Sequence, residues 1–173
     1  MKILTLLIVS LTLASATIRL PQSFHAHFKQ TITNPKKKVI TYTGRVRFSD
    51  SMLFKWLYRT PTQKEVCSDG YELIVVDHDL EQVSNYLIDK GFDLGKILRH
   101  AKRHAPSIYI ADYENRHYTI KLNANEQLES VAYFDDLDNK VQILFWGMQY
   151  GRKNLPAKSM RCEAPRDYDR IRG

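Results

Sequence analysis

Apolar and polar residues alternate with a period of two along most of the chain, and this alternation limits the folds available to it. Between Val39 and Phe48, apolar, aromatic or small side chains occupy every second position, while Thr and Arg fill the positions between them. Residues 24–32 alternate in the same way. A period of two places successive side chains on opposite faces of a strand, so that one face is buried. The chain is therefore predicted to be mainly β.

Short strands at hairpin spacing continue this pattern towards the C-terminus. Turn sequences such as Ser68-Asp69-Gly70 and Asp135–Asn139 separate them. Roughly ten short strands joined by hairpin-length connections are typical of an antiparallel barrel or sandwich. The predicted strands cover residues 24–32, 39–48, 52–59, 63–67, 71–76, 81–87, 107–111, 117–122, 128–134, 141–150 and 157–163.

Residues 93–104 interrupt the strand pattern and predict one helix. Apolar residues recur there at the i, i+3, i+4, i+7 spacing of a helix face, and Lys and Arg occupy the opposite face. Asp93 is a suitable N-cap, and Pro106 ends the segment. The simplest interpretation is a surface helix that packs its apolar residues on the sheet. These apolar residues are Leu94, Ile97, Leu98 and Ala101.

Residues 1–16 have the features of a secretory signal peptide. Lys2 provides the charged start, an apolar run follows, and Ala14-Ser15-Ala16 fits the small-residue cleavage rule. The run is shorter than the roughly 20 residues that span a bilayer, so an uncleaved membrane anchor is the less favoured alternative. We expect cleavage after Ala16, which leaves a single exported β domain over residues 17–173.

The formal net charge is +7 and the isoelectric point about 9.4, which favours anionic partners. Nucleic acid, acidic lipid surfaces and acidic proteins all satisfy that requirement. Export from the cytosol disfavours nucleic acid, and no nucleic-acid recognition module is visible. We therefore expect no nucleic-acid binding.

Catalytic and metal-binding motifs are weak in this sequence. His25 and His27 point the same way on one predicted strand, but no third ligand accompanies them. His100 and His104 have helical i, i+4 spacing but lack the Glu of the zinc protease motif. No nucleophile motif, phosphate loop or dinucleotide fingerprint is present. The expectation is that the protein is not an enzyme and uses neither a metal nor another cofactor.

Cys67 and Cys162 are the only two cysteines. An oxidising compartment makes a disulfide between them reasonable. It would tie the middle of the sheet to the last predicted strand. Two buried free thiols are the alternative, because the sequence does not give the distance between the two residues.

Aromatic side chains on the first three predicted strands share an inward parity. In a small closed barrel such residues fill the core, whereas in a curved sheet with a helix over its mouth they line an apolar cavity. Periodicity alone does not separate these two arrangements. The residues are Phe24, Phe28, Phe48, Phe54, Trp56 and Tyr58.

Three blocks of sequence, in order and at fitting spacing, resemble a known family. Ser23–Gln30 resembles the first strand of the periplasmic outer-membrane lipoprotein carrier family (LolA), and the similarity covers roughly residues 23–104. The other matching residues are Gly44, Leu53-Phe54-Lys55-Trp56, Ser68-Asp69-Gly70, Leu73, Asp77 and Glu81-Gln82-Val83.

The resemblance implies an unclosed, strongly curved antiparallel half-barrel with a small helical lid over its concave face. It also implies a monomeric periplasmic carrier. Such a carrier takes acylated lipoproteins from an ATP-driven inner-membrane releasing complex and hands them to an outer-membrane receptor. A periplasmic lipid- or lipoprotein-binding sensor of the same fold is the alternative. The expected cargo-binding residues are Phe24, Phe28, Val46, Phe48, Phe54, Trp56 and Tyr58, together with Leu94, Ile97 and Leu98 of the lid.

Two features depart from the family pattern. Many members carry an arginine that is thought to latch the lid, four residues before the position of Phe54, and here that residue is Asp50. Only residues 17–22 precede the first strand, so the N-terminal helix of the family is nearly absent. We therefore expect a smaller lid without the usual latch.

Overall fold

Strands make up most of the protein in the computed structural model, which describes residues 18–50, 52–68, 71–87 and 94–172. The predicted signal peptide, residues 1–16, lies outside the described residues. Two short helices accompany the strands. The elements are β1 (Ser23–Thr33), β2 (Val39–Ser49), β3 (Leu53–Thr60), β4 (Lys64–Ser68), β5 (Glu72–Asp77), β6 (Gln82–Leu87), α1 (Leu94–His100), β7 (Lys102–Ala105), β8 (Ile108–Tyr113), β9 (Arg116–Leu122), β10 (Leu128–Phe134), β11 (Lys140–Gly151), α2 (Ala157–Met160) and β12 (Asp169–Arg172).

The described strands form one continuous sheet in the order β12-β6-β5-β4-β3-β2-β1-β11-β10-β9-β8-β7. Its two ends, β7 and β12, are not neighbours, so the sheet is unclosed. All neighbouring pairs are antiparallel except β12 and β6, which run parallel. The fold predicted from the sequence, an unclosed antiparallel half-barrel with little helix, is confirmed.

The concave face of the sheet forms the hydrophobic core. Phe24 of β1 pairs with Phe48 of β2, and their rings stack with centroids 5.0 Å apart. Strands on the other side of β1 add further apolar residues to the same cluster. Apolar and polar residues alternate in the sequence because alternate side chains of these strands point into this core. The added residues include Tyr118, Ile120, Val131, Val141, Ile143 and Phe145.

Gly44 lets β2 pass close beneath an aromatic ring. A Cβ atom at this position would lie 1.9 Å from the carbonyl oxygen of Leu57 and 2.8 Å from Cε1 of Phe28. The register between β2 and β3 shifts between Thr43 and Gly44. Glycine is therefore required here by close backbone approach.

The helix predicted over residues 93–104 is too long at its C-terminal end. Helix α1 ends at His100, and Lys102–Ala105 forms strand β7, which pairs with β8. Pairing with β8 satisfies the backbone N–H and C=O groups of residues 102–105, which a longer helix would otherwise have satisfied. Leu94, Ile97 and Leu98 are buried as expected. The proposed N-cap, Asp93, lies outside the described residues.

The strand predicted over residues 157–163 is wrong. Pro156 precedes the short helix α2, and an irregular stretch follows it. The last strand is instead β12, which was not predicted and adds a parallel edge to β6. Hydrogen bonds from side chains of the sheet to the backbone of this region replace a strand ladder, as described below.

No helix among the described residues is long and apolar enough to cross a bilayer.

Candidate functional site

An apolar cavity of about 170 Å³ lies on the concave face. Curvature of the sheet brings β3, β4 and β5 opposite β10 and β11, so that residues distant in sequence share one cavity. A cavity of about 150 Å³ lined by apolar side chains holds a molecule the size of benzene. In this conformation the cavity therefore accommodates only a short segment of hydrocarbon. Its lining consists of Gln30, Phe54, Trp56, Tyr58, Val66, Leu73, Tyr133 and Ile143.

Strand β3 supplies three of the aromatic residues that line the cavity. Its alternation sends Phe54, Trp56 and Tyr58 to the concave face. The ring of Phe28 on β1 lies edge-on to the rings of Trp56 and Tyr58, with centroids 4.8 and 5.1 Å away. Edge-to-face contacts of this kind add to the stability that the buried area itself provides. Trp56 and Tyr58, which line the cavity, therefore pack against Phe28 of the core.

The polar atoms in the cavity belong to uncharged side chains. The hydroxyl of Tyr58 donates a hydrogen bond to Oε1 of Gln30 at 3.1 Å. Burial raises the pKa of Tyr58, and it raises the pKa of Tyr133 to about 12. Both phenols are neutral at physiological pH, and no residue lining the cavity is charged there. Such a lining suits an uncharged, apolar ligand.

The residues that the sequence indicated as a binding site fall into two groups. Phe54, Trp56 and Tyr58 line the cavity, as just described. The other seven are packed in the core, each at most 3% exposed. They are Phe24, Phe28, Val46 and Phe48 of the sheet and Leu94, Ile97 and Leu98 of helix α1.

Five lining residues were missed by the sequence analysis. Val66 and Leu73 lie on β4 and β5, while Tyr133 and Ile143 lie on β10 and β11. The fifth, Gln30, is polar and was not counted with the aromatic residues of its strand. The strands that carry these residues were predicted, but alternation gives no information about which strands face each other across the sheet.

Asp50, at the position where the family often has an arginine, lies away from the cavity. It is exposed in the hairpin between β2 and β3, and its backbone amide donates to the carbonyl of Gln22 at 3.0 Å. The polar contact inside the cavity is instead the hydrogen bond between Tyr58 and Gln30.

The opposite, outer face of the sheet is crossed by the C-terminal segment (residues 152–168). Nη1 of Arg47 donates to the carbonyl of Ser159 at 3.1 Å, and Nζ of Lys55 donates to the carbonyl of Arg161 at 2.7 Å. Lys55 also forms an ion pair with Glu65 at 3.0 Å, and both side chains are almost fully buried. A buried charge is tolerated only when it is paired and hydrogen-bonded, so these contacts fix the segment in place.

A disulfide joins Cys67 of β4 to Cys162, with the two Cα atoms 5.7 Å apart. Its second partner lies in the irregular stretch after α2, not on the strand that the sequence predicted. Among the described residues, an oxygen of Glu65 lies within 4.8 Å of both sulfur atoms. Metal binding by cysteine requires a thiolate, and two bonded sulfurs provide none.

The structure also shows where the two histidine pairs considered as metal ligands lie. His25 and His27 are exposed on the outer face of β1, and His27 stacks on Trp146 with ring centroids 5.6 Å apart. His100 lies on α1, whereas His104 lies on β7. The predicted helical pair therefore does not form.

Comparison with known proteins relates the chain to one family. A family model described as "Outer membrane lipoprotein carrier protein LolA" matches residues 20–92. A protein of Campylobacter jejuni named outer-membrane lipoprotein carrier protein is 31% identical over 150 residues, which cover 87% of this chain and 86% of that protein. A protein of the same name from Wolinella succinogenes is 30% identical over 145 residues and 84% of each chain.

Solved structures share the fold at low sequence identity. An uncharacterized conserved protein from Thermus thermophilus superposes with a TM-score of 0.56 at 11% identity, covering 89% of this chain and 92% of that one. A LolA superfamily protein from Nitrosomonas europaea gives a TM-score of 0.50 at 12% identity, covering 84% of this chain and 93% of the other.

Proposed function

This chain belongs to the outer-membrane lipoprotein carrier (LolA) family, and from that premise we propose that it carries lipoproteins across the periplasm. In this proposal it receives acylated lipoproteins from an ATP-driven releasing complex of the inner membrane. It then delivers them to the outer membrane, through a receptor where one exists. The names of the relatives support a carrier over a sensor of the same fold. The observation on which the proposal depends is the uncharged, aromatic cavity on the concave face.

The acyl chains of the cargo require such a cavity. Exposing a chain to water costs about 0.8 kcal/mol per methylene, or about 11 kcal/mol for a chain of roughly 14 methylenes. A carrier must offset most of this cost during transit. Phe54, Trp56 and Tyr58 provide the first contacts, because they line the cavity with aromatic carbon.

The cavity must enlarge to take a whole chain, and helix α1 is the element that we expect to move. It contacts β8 and contributes Leu94, Ile97 and Leu98 to the core. Exposing three such side chains costs about 5–9 kcal/mol, at roughly 1.5–3 kcal/mol each. One acyl chain supplies about 11 kcal/mol. Cargo can therefore displace the helix, and in its absence the helix closes over the core.

Mass spectrometry of the protein purified from its native periplasm without detergent tests the proposal. We expect co-purified acylated lipoprotein, and we expect it to be lost in the Phe54→Glu variant. Leu80→Glu is the matched control, because Leu80 is 69% exposed in the turn before β6 and lies outside the cavity lining. Absence of acylated species from the unmodified protein, or equal amounts on both variants, would contradict the carrier proposal.

A further inference from the structure

The positive charge of this protein is concentrated in two stretches of sequence. Residues 18–49 and 139–162 together carry twelve of the 26 Lys and Arg residues and none of the 19 Asp and Glu residues. The rest of the chain carries fourteen basic and nineteen acidic residues, a formal net charge of −5. The overall charge of +7 therefore conceals a strongly basic part and an acidic remainder.

The fold brings these two stretches together. The first contains β1 and β2, the second contains β11 and α2, and the strand order places β1 between β2 and β11. Register then aligns their outward side chains in rows. Arg45 lies opposite His27, which lies opposite Trp146, and Lys29 of the next row lies opposite Leu144. We call seven outward side chains of these three strands the basic face: His25, His27, Lys29, Arg45, Arg47, Leu144 and Trp146.

A second cavity, of about 620 Å³, opens on the basic face. Its side walls include His25, His27, Arg45 and Arg47, and none of its ten lining residues is acidic. The C-terminal segment closes one side of it through Leu155 and Ser159, which the hydrogen bond from Arg47 to Ser159 holds in place. A site of this size with two guanidinium groups suits a phosphate-bearing headgroup.

Apolar side chains accompany the charges on the basic face. Trp146 is 49% exposed and Leu144 is 37% exposed, and they alternate with the buried residues of β11. Tryptophan is enriched where proteins meet the interface of a bilayer, because its ring is apolar and its N–H is polar. Basic residues beside an exposed Trp and Leu are the combination that binds anionic bilayer surfaces. An acidic protein partner would also be attracted by the positive charge, and the vesicle experiment below distinguishes it from a bilayer.

We propose that the basic face is a docking surface for an anionic lipid bilayer. The cavity between β1, β2, β11 and the C-terminal segment accepts a lipid headgroup phosphate, and Trp146 and Leu144 enter the interfacial layer. The protein then lies on the bilayer by the outer face of its sheet, on the side opposite the apolar cavity.

Vesicle co-sedimentation of the purified, unloaded protein tests this inference. The probes are vesicles of phosphatidylcholine alone and vesicles containing about one third phosphatidylglycerol. We expect binding to the anionic vesicles only, and release at high salt, where charge interactions are screened. Because no lipoprotein is present, the result does not depend on whether the protein carries acylated cargo.

Two matched pairs of variants assign the binding to the basic face. Lys29→Glu with Arg45→Glu reverses two exposed charges there and should weaken binding at least ~10-fold, because each basic residue near an anionic surface contributes measurably. Lys102→Glu with Arg103→Glu makes the same charge change on β7, away from the basic face, and should leave most of the binding. Trp146→Ala should weaken binding, whereas Tyr86→Ala, at a residue 44% exposed on β6, should not.

Three results would overturn the inference. One is a failure to bind anionic vesicles. Another is equal loss in the two charge-reversal variants, which would mean that net charge alone attracts the protein to the surface. The third is unchanged vesicle binding by the Lys29→Glu, Arg45→Glu variant. If that variant also failed to deliver cargo, the basic face would instead bind an acidic protein. If the glutamate variant does not fold, Lys29→Gln with Arg45→Gln gives the same comparison.

Discussion

Replacing Phe54 by Glu separates the function of the cavity from the stability of the fold. Phe54 is half-buried at the start of β3 and lines the cavity. Burying a whole Phe side chain is worth roughly 1.5–3 kcal/mol, so losing a half-buried one costs about 1–2 kcal/mol. A new carboxylate at this position can still reach water. Against a typical domain stability of about 5–15 kcal/mol, Phe54→Glu should remain folded.

Cargo binding should respond much more strongly to the same substitution. An acyl chain in the cavity would exclude water from the carboxylate and leave it without a partner. Burying an unpaired charge costs several kcal/mol, and a loss of about 3 kcal/mol corresponds to a roughly 100-fold weaker affinity. We therefore expect Phe54→Glu to be folded but unable to load.

Phe28→Glu is the contrasting variant. Phe28 has the same inward parity but is fully buried in the core. Truncating a buried Phe costs about 3–5 kcal/mol, and an uncompensated buried charge adds several more. This total is comparable with the whole stability of the domain, so Phe28→Glu should unfold the protein.

Urea denaturation followed by far-UV circular dichroism measures the stability of both variants, and co-purification with an acylated lipoprotein measures loading. Unfolding of Phe54→Glu to the same extent as Phe28→Glu would show that Phe54 is a sealed core residue. A folded Phe54→Glu that loads normally would show that the cavity is not the cargo site.

Four further predictions concern processing and stability. N-terminal sequencing of the exported protein should show cleavage after Ala16; an intact N-terminus would indicate a membrane-tethered form. Replacing Cys67 and Cys162 by Ser should lower the free energy of unfolding by up to about 4–5 kcal/mol, because the disulfide spans 95 residues; full thiol labelling of the denatured, unreduced protein would contradict the disulfide. Gly44→Ala should destabilise the fold by at least about 1–3 kcal/mol, since its Cβ would overlap the carbonyl of Leu57; unchanged urea denaturation would contradict that clash. The pKa of Tyr133 is raised by burial from 10.0 to about 12, so its contribution to stability is complete below pH 10 and disappears as the pH rises to about 12; Tyr133→Phe should reduce this alkaline loss in urea denaturation, and an unchanged loss would refute it.

The sequence was sufficient to predict most strands because their determinants are local. In β2, inward residues alternate with Thr and Arg from Ile40 to Phe48, and Val46 and Phe48 are buried in the core. In β3, alternate positions bring Phe54, Trp56 and Tyr58 to the cavity. Turn residues between the strands then specify hairpins between sequence neighbours. The central strands from β1 to β6 pair in chain order for this reason.

The elements that were wrong or missed depend on distant partners. Residues 102–105 have a sequence that suits a helix, but they pair with β8 because that strand lies next to them in the fold. Residues 157–163 do not form a strand, because Arg47 and Lys55 on the outer face bind their backbone instead. No local pattern in this region encodes these contacts.

The candidate cavity was predictable in part. Inward parity selected Phe54, Trp56 and Tyr58, which line it, but the same parity selected Phe28, which is sealed in the core. Parity gives the face of a residue and not its position along the strand relative to the opening. That position depends on the curvature of the sheet, and curvature arises from the twist and pairing of the twelve strands among the described residues.

The C-terminal segment and helix α1 are attached to opposite faces of the sheet by different kinds of contact, and this difference suits a carrier. On the outer face, the disulfide and the hydrogen bonds from Arg47 and Lys55 tie the C-terminal segment to β2, β3 and β4. The disulfide is covalent and the hydrogen bonds are directional, so these contacts fix the geometry of the segment. On the concave face, Leu94, Ile97 and Leu98 of α1 pack into the core through apolar contacts, which have no fixed direction. Under the proposed function, an acyl chain would replace these apolar contacts of the helix, while the contacts on the outer face would keep their geometry.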